Sequence, residues 1–320
     1  MTATAFEEVE RYRAELKAHC YRMLGSAFEA EDAVQEAMVR AWRAADRFEG
    51  RTTLRGWLYR IATNVCLSML ARDKHKRLTP YLSSSPASDY PHGPARDVSW
   101  LEPYPQAFLD DIPDSAPAPH ARYEQKEATE LAFVAAIAYL PPRQRAALIL
   151  HEVLGWSAQE TARALETSVA SINSALQRAR ETLRKKLPVE ASSLRARDTT
   201  EEQHELLGRY VAAWESQDMR ALTKLLREDA ILSMPPVPEW YQGPDQIAEI
   251  FGWGIRQMEF AAWRAVPAAA NYQPAIVLYG KDTASDDWHP HAVHVLDVRD
   301  GRIAIVNNFM DPAVCALFVP

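Results

Sequence analysis

Ser171, Ser174, Gln177 and Arg178 stand at helical spacing ahead of Arg180, Arg184, Lys185 and Lys186. Short hydroxyl and amide groups hydrogen-bond to base edges, and the longer cations that follow reach phosphates, so this order of residue types suits a helix laid against duplex DNA. Such a helix needs a buried back, and Val169, Ile172, Ala175, Leu176, Ala179 and Leu183, three or four residues apart, predict one. Ahead of it, Ser157 and Glu160 make a capping box, and Thr161, Ala162 and Leu165 make an apolar stripe. Glu166-Thr167-Ser168 then breaks the chain, with Ser168 placed to cap the next helix. A short helix, a three-residue break and a second helix that turns basic form a helix-turn-helix pattern. The same spacing also fits a solvated amphipathic helix in a small bundle, because such signatures are short.

Composition bounds the alternatives. A chain of 320 residues has room for two or three domains. Its formal charge of −7 runs against a nucleic-acid partner until it is divided: residues 201–320 hold 9 Lys and Arg against 17 Asp and Glu, and the first 200 hold 27 against 26. Within those 200, Arg40, Arg43, Arg47, Arg51, Arg55 and Arg60 form one basic zone and Arg72, Lys74, Lys76 and Arg77 another. Two separate basic helical zones favour an extended nucleic-acid partner over plain solvation. No run of about 18 apolar residues and no basic-then-apolar leader is present, so a cytoplasmic protein without membrane contact is expected. Cys20, Cys66 and Cys315 are too dispersed for a disulfide framework or a zinc pattern and read as buried thiols.

Residues 6–77 read as a helical domain. Val9, Tyr12, Leu16, Cys20, Met23 and Leu24 give a first stripe ended by Gly25-Ser26. A helix from about Glu29 to Arg47 turns Ala33, Val34, Ala37, Met38, Ala41 and Trp42 inward, and a third carries Leu54, Trp57, Leu58, Ile61, Val65 and Met69. Residues 78–121 form a Pro-rich acidic linker: nine of the 21 prolines fall there, a density that excludes regular elements. Its aromatics Tyr90, Trp100, Tyr104 and Phe108 predict that parts of it dock. Helices return over 122–187, a second linker covers 188–199, and residues 200–320 change in kind. There Leu206 to Trp214 predicts an amphipathic helix, Leu222 to Leu226 and Gln246 to Phe251 shorter ones, and Ala275 to Tyr279 a strand. His291 to Val298 and Ile303 to Asn307 predict a hairpin about Asp300-Gly301. Two all-α domains followed by an α+β domain is the expected architecture.

Two stretches together resemble the extracytoplasmic-function (ECF) sigma factors of the sigma-70 superfamily. One is Ala30-Glu31-Asp32-Ala33-Val34-Gln35-Glu36 with Trp42 and Leu54-Arg55-Gly56-Trp57-Leu58-Tyr59-Arg60-Ile61-Ala62-Thr63-Asn64; the other runs from Leu140-Pro141-Pro142-Arg143-Gln144-Arg145 through Arg180. The resemblance implies that 6–77 is a sigma region 2 bundle and 122–187 a region 4 helix-turn-helix, with core RNA polymerase (β′ clamp and β flap) and promoter DNA as partners. Asp32, Gln35, Glu36 and Arg40 would then meet the polymerase clamp, with Trp42 read as core. Arg51, Thr52, Arg55, Arg60 and Asn64 would meet the −10 element, where a flipped base needs a pocket, with a buried Trp57 supporting the helix. Ser171, Ser174, Gln177 and Arg178 would read the −35 element, and Arg180, Arg184 and Lys185 would hold its phosphates. The linker carboxylates Asp110, Asp111 and Asp114 would thread toward the polymerase active centre.

Residues 200–320 resemble a SnoaL-like, nuclear-transport-factor-2-like cone, on Tyr210-Val211-Ala212-Ala213-Trp214, Met234-Pro235-Pro236, Trp240-Tyr241-Gln242-Gly243 and Asn308-Phe309-Met310-Asp311-Pro312. In fused relatives this domain regulates the sigma portion by intramolecular contact, so no catalytic residue, cofactor or metal is expected. A small ligand in the cone's pocket stays open, as does the alternative of a ligand-processing enzyme carrying a DNA-binding module. Strand alternation places His289 and His291 on one face and His294 on the other, against a shared metal ion.

Overall fold

The structure is a computed structural model that describes residues 8–45, 48, 50, 52–72, 79, 81, 85–95, 98–112, 128–186 and 200–319. Arg51, Asp114, Arg47, Lys74, Lys76 and Arg77 lie outside the described residues. The chain divides into two compact units, one of residues 1–77 with 107–192 and the other of residues 78–106 with 193–320.

In the first unit α1 (Arg13–Leu24) ends at Gly25, whose φ of 73° lets its N–H return to Tyr21 O. Ser26 then caps α2 (Ala27–Ala44) by accepting from Glu29 N. Thr53 caps α3 (Leu54–Arg72), its hydroxyl accepting from Gly56 N at 3.1 Å. A short α4 (Gln106–Asp110) is followed by α5 (Leu131–Ala138) and α6 (Pro142–Leu148), then by a π turn at Ile149–Val153. The helix-turn-helix is α7 (Ala158–Ala164), with both halves of the Ser157–Glu160 capping box formed, and α8 (Val169–Lys186). Glu166, at φ 51°, makes the turn.

The second unit holds α9 (Thr200–Glu215), α10 (Met219–Thr223), β1 (Leu226–Ser233), β2 (Trp240–Gln242), α11 (Pro244–Gln257), β3 (Phe260–Ala270), β4 (Gln273–Asp282), β5 (Trp288–Arg299), β6 (Arg302–Phe309) and α12 (Pro312–Ala316). The strands form one sheet in the order β2-β1-β6-β5-β4-β3. The β5–β6 hairpin turns at Asp300-Gly301, both at positive φ. Three strands, β1, β2 and β3, were not expected. β1 runs parallel to β6 where the sequence suggests only antiparallel pairing and a helix reaching Leu226. β3 is rich in Ala and contains Pro267, which its place at the sheet edge tolerates.

The connector does not behave as a bare spacer. Ala87 N donates to Trp240 O at 2.8 Å, Ala95 N to Pro236 O at 3.0 Å, and Tyr241 Oη to Asp89 O at 2.9 Å. Tyr90 stacks on Trp253 at 5.3 Å, and Tyr104 is fully buried, its N–H meeting Asn271 Oδ1 at 2.8 Å. Tyr90 and Tyr104 thus anchor this strap to the sheet unit, whereas Phe108 lies under Lys17 of α1 in the first unit. Despite its prolines, the segment also carries the isolated bridge Pro105–Ala270 and α4.

Candidate nucleic-acid interface

The face of α8 opposite its buried Ile172, Leu176, Ala179 and Leu183 carries the predicted readers. Ser168 Oγ accepts from Ser171 N at 3.1 Å and donates to Ser171 Oγ at 3.2 Å, fixing the first reader beside the cap. Ser174, Gln177 and Arg178 are exposed, with side chains that make no hydrogen bond or ion pair among the described residues. Arg180 pairs with Glu152 at 2.7 Å and Lys185 with Glu181 at 2.8 Å, solvent-screened surface contacts that a phosphate can displace. Arg184 is exposed beside them. Val169 departs from the predicted apolar face: at the first turn it has no turn beneath it and is 42% exposed. With Asn173, also exposed, it adds a methyl-bearing group and an amide to the reading face, both missed in the sequence.

On α3, Arg60 and Asn64 lie one turn apart, with exposed Thr52 ahead of the helix. Arg60 is bound to Glu166 of the helix-turn-helix turn at 2.7 Å. A groove of about 710 Å³ runs here, with Thr52, Trp57 and Arg60 on one side and Trp156, Glu160 and Arg163 on the other. Arg55 is held inside the unit: its guanidinium meets Glu15 at 2.9 Å and the Tyr59 hydroxyl at 3.4 Å. Burial lowers its pKa, but Tyr59 and Glu15 outweigh that and raise it. Burial, reinforced by Glu15, likewise pushes the Tyr59 phenol up. Arg55 therefore braces the helix through Glu15 and Tyr59 while still lining the groove. Trp57 is half-buried and packs on Phe48 at 5.1 Å, instead of being buried as expected.

On α2, Asp32, Gln35, Glu36 and Arg40 are all exposed, and Arg40 pairs with Glu36 at 2.7 Å. Trp42 overturns its expected place in the core: it is 59% exposed. Phe28, two heptads earlier on the same stripe, is 41% exposed and escaped notice in the sequence. Ala41, not Trp42, supplies the inward contact at this turn.

His291 and His294 also depart from expectation. Leu278 of β4 pairs with Ala292 but Tyr279 with Pro290, so His291 is an extra residue on β5. This bulge resets the alternation and turns His291 and His294 into one cavity, while His289 remains exposed. Among the described residues no group of three or more His, Cys, Asp or Glu is gathered to hold a metal ion. All three cysteines are buried and free, and no helix is long and apolar enough to cross a membrane among the described residues.

A capped helix-turn-helix whose second helix presents exposed polar groups opposite a buried face has the architecture of the DNA-binding class. The sequence matches the families Sigma-70 region 2 over residues 9–76, Sigma-70 region 4 over 130–183 and SnoaL-like domain over 207–306. It is 42% identical over 312 residues to the ECF RNA polymerase sigma factor SigG of Mycobacterium tuberculosis, covering 97% of this chain and 82% of that protein. It is 31% identical over 183 residues to SigW of Bacillus subtilis, covering 56% of this chain and 86% of that protein. The crystal structure of Mycobacterium tuberculosis SigJ shares the fold, with a TM-score of 0.59, 20% identity and 98% of each chain covered. The chain belongs to the ECF RNA polymerase sigma factors and carries a C-terminal SnoaL-like domain.

Proposed function

We propose that the chain works in the cytoplasm as a promoter-selecting subunit of RNA polymerase, without catalytic chemistry of its own. The exposed face of α2, with Asp32, Gln35, Glu36, Arg40, Trp42 and Phe28, docks on the β′ clamp, and the helix-turn-helix module meets the β flap. The groove residues Thr52 and Arg60, with Asn64 one turn beyond Arg60 and with Arg51, take the −10 element, and Arg55 braces them. Ser171, Ser174, Gln177 and Arg178 read the −35 element from the major groove, aided by Val169 and Asn173, and Arg180, Arg184 and Lys185 hold phosphates. The SnoaL-like domain modulates this activity from within the same chain, with the docked strap as the coupling element. The observation that carries the reading is Ser174, Gln177 and Arg178, exposed and without side-chain partners among the described residues, on the face of α8 opposite the buried Ile172, Leu176 and Ala179.

Co-purification with core polymerase followed by run-off transcription tests it. A sigma factor co-elutes and yields a discrete start site; material that does neither, even without residues 200–320, sinks the reading. Arg178→Ala is expected to weaken promoter binding by about 1–3 kcal/mol and to flatten base preference at one position. Lys185→Ala is expected to weaken all sequences alike and reduce the salt slope by about one. A promoter-mutant binding panel distinguishes the two, and an Arg178→Ala protein with unaltered base preference would remove that residue from the reading face.

A further inference from the structure

The cavity into which the bulge turns His291 and His294 holds about 230 Å³ within the SnoaL-like unit. Its walls are largely aromatic and thioether: Trp214, Phe251, Trp263, Met234 and Met310. The described lining contains no Asp, Glu, Lys or Arg. Three buried polar atoms in so apolar a site lack a partner at full hydrogen-bonding geometry: His294 Nε2 and Asn308 Oδ1, which make only a weaker contact with each other, and Trp214 Nε1, which makes only a weaker one with Tyr210, on residues 1%, 6% and 3% exposed. Folded proteins seldom leave such atoms orphaned, and a bound partner accounts for them.

The protonation of the site follows from its neighbours. Tyr210 Oη and His294 Nδ1 are hydrogen-bonded at 2.9 Å; with the hydroxyl as donor, the ring proton sits on Nε2 and points into the cavity. Burial, together with His291 nearby, lowers the His294 pKa to about 3, although Asn308 beside it favours the charged ring. Burial lowers His291 as well. Both rings are neutral at pH 7. Asn308 faces His294 directly across the β5–β6 ladder, which sets an acceptor beside the Nε2–H donor. A neighbouring donor and acceptor match one hydroxyl group, which accepts from the first and donates to the second. Phe251 and His294 lie nearly parallel, 12° apart at 5.7 Å, and give the polar end of the cavity a flat wall.

We propose that this cavity binds a neutral, planar aromatic molecule whose hydroxyl is held between His294 Nε2 and Asn308 Oδ1, and that the ligand fastens the strap. Pro91 and Gly93 of the strap line the same cavity, between the hydrogen bonds of Ala87 and Ala95. Occupancy and strap docking therefore stabilise one another. The ligand site stands independently of how the helix-turn-helix reads promoters.

The full-length protein can be titrated with 1-naphthol, naphthalene and 1-naphthoate by calorimetry, with amide hydrogen exchange read at Ala87 and Ala95. Expected is micromolar binding of 1-naphthol, binding of naphthalene about tenfold weaker, and none of 1-naphthoate, because the site has an unmet hydroxyl partner and no cation. 1-Naphthol should slow exchange at both alanines. His294→Phe or Asn308→Leu should erase the preference for the hydroxyl while naphthalene still binds; the two are independent substitutions, so either one that folds suffices. Leu278→Trp, on the cavity wall, should abolish binding of both. Equal affinity for 1-naphthol and naphthalene, failure of both to bind, or binding that survives Leu278→Trp overturns the proposal, and unaltered exchange at Ala87 and Ala95 overturns its strap element.

Discussion

Arg145→Met is expected to destabilise the first unit by about 3 kcal/mol, roughly 6–12 °C in Tm, because it removes a buried charge from three carbonyls. The guanidinium is buried on α6. It donates to Met23 O at the end of α1, to Ala138 O at 2.6 Å and to Leu140 O at 3.4 Å. A helix C-terminus concentrates partial negative charge, so a cation there gains twice, from hydrogen bonds and from the dipole. Met23 belongs to the region 2 module and the other two carbonyls to the region 4 module, so one side chain ties them within this unit. Arg143→Met is the control: two residues away but exposed, it should shift stability by about 0.5 kcal/mol or less. Equal Tm values for the two variants in thermal denaturation would show that the buried arginine carries no such weight.

That pair of arginines also marks what could be read in the sequence. Leu140-Pro141-Pro142-Arg143-Gln144-Arg145 identified the module, but which arginine turns inward depends on the packing of α1 against α6, which no local pattern encodes. Local signals performed where local physics decides. The Ser157–Glu160 box, the Gly25 stop and the Asp300-Gly301 turn are each set by a few adjacent residues and form as read. Tertiary context defeated the rest. Trp42 looks like core because its hydrophobicity does, yet the helical phase gives that place to Ala41. Val169 sits on the apolar stripe of α8 but at its exposed first turn. The period-two reading of His289, His291 and His294 was sound until one extra residue on β5 reversed it, and a bulge has no dependable signature in a single sequence. The strap aromatics Tyr90 and Tyr104 were legible as docking groups, whereas their partners on α11 and the β3–β4 turn were not.

Mild acid should weaken both units, and the sign follows from two buried imidazoles. His19 Nε2 donates to Thr63 Oγ1 at 2.9 Å, Thr63 in turn donating to Tyr59 O at 2.7 Å, and the ring packs edge-on to Tyr59 at 5.0 Å. Burial first, then the nearby Arg22 and Arg55, lower its pKa to about 3. His294 reaches the same value chiefly through burial. An unfolded histidine titrates near 6.5, so each ring leaves stability intact above that pH and removes it as pH falls toward 3. At pH 5 the loss is about 2 kcal/mol per ring, at 1.36 kcal/mol per pH unit. Carboxylates such as Glu10 and Asp229, held low by their arginine partners, titrate mainly below this window. Chemical denaturation at pH 7.5 and pH 5 should therefore show both transitions weakening. His294→Phe should flatten the pH response of the second unit alone and His19→Gln that of the first. A pH response left unchanged by both substitutions would place the acid sensitivity elsewhere.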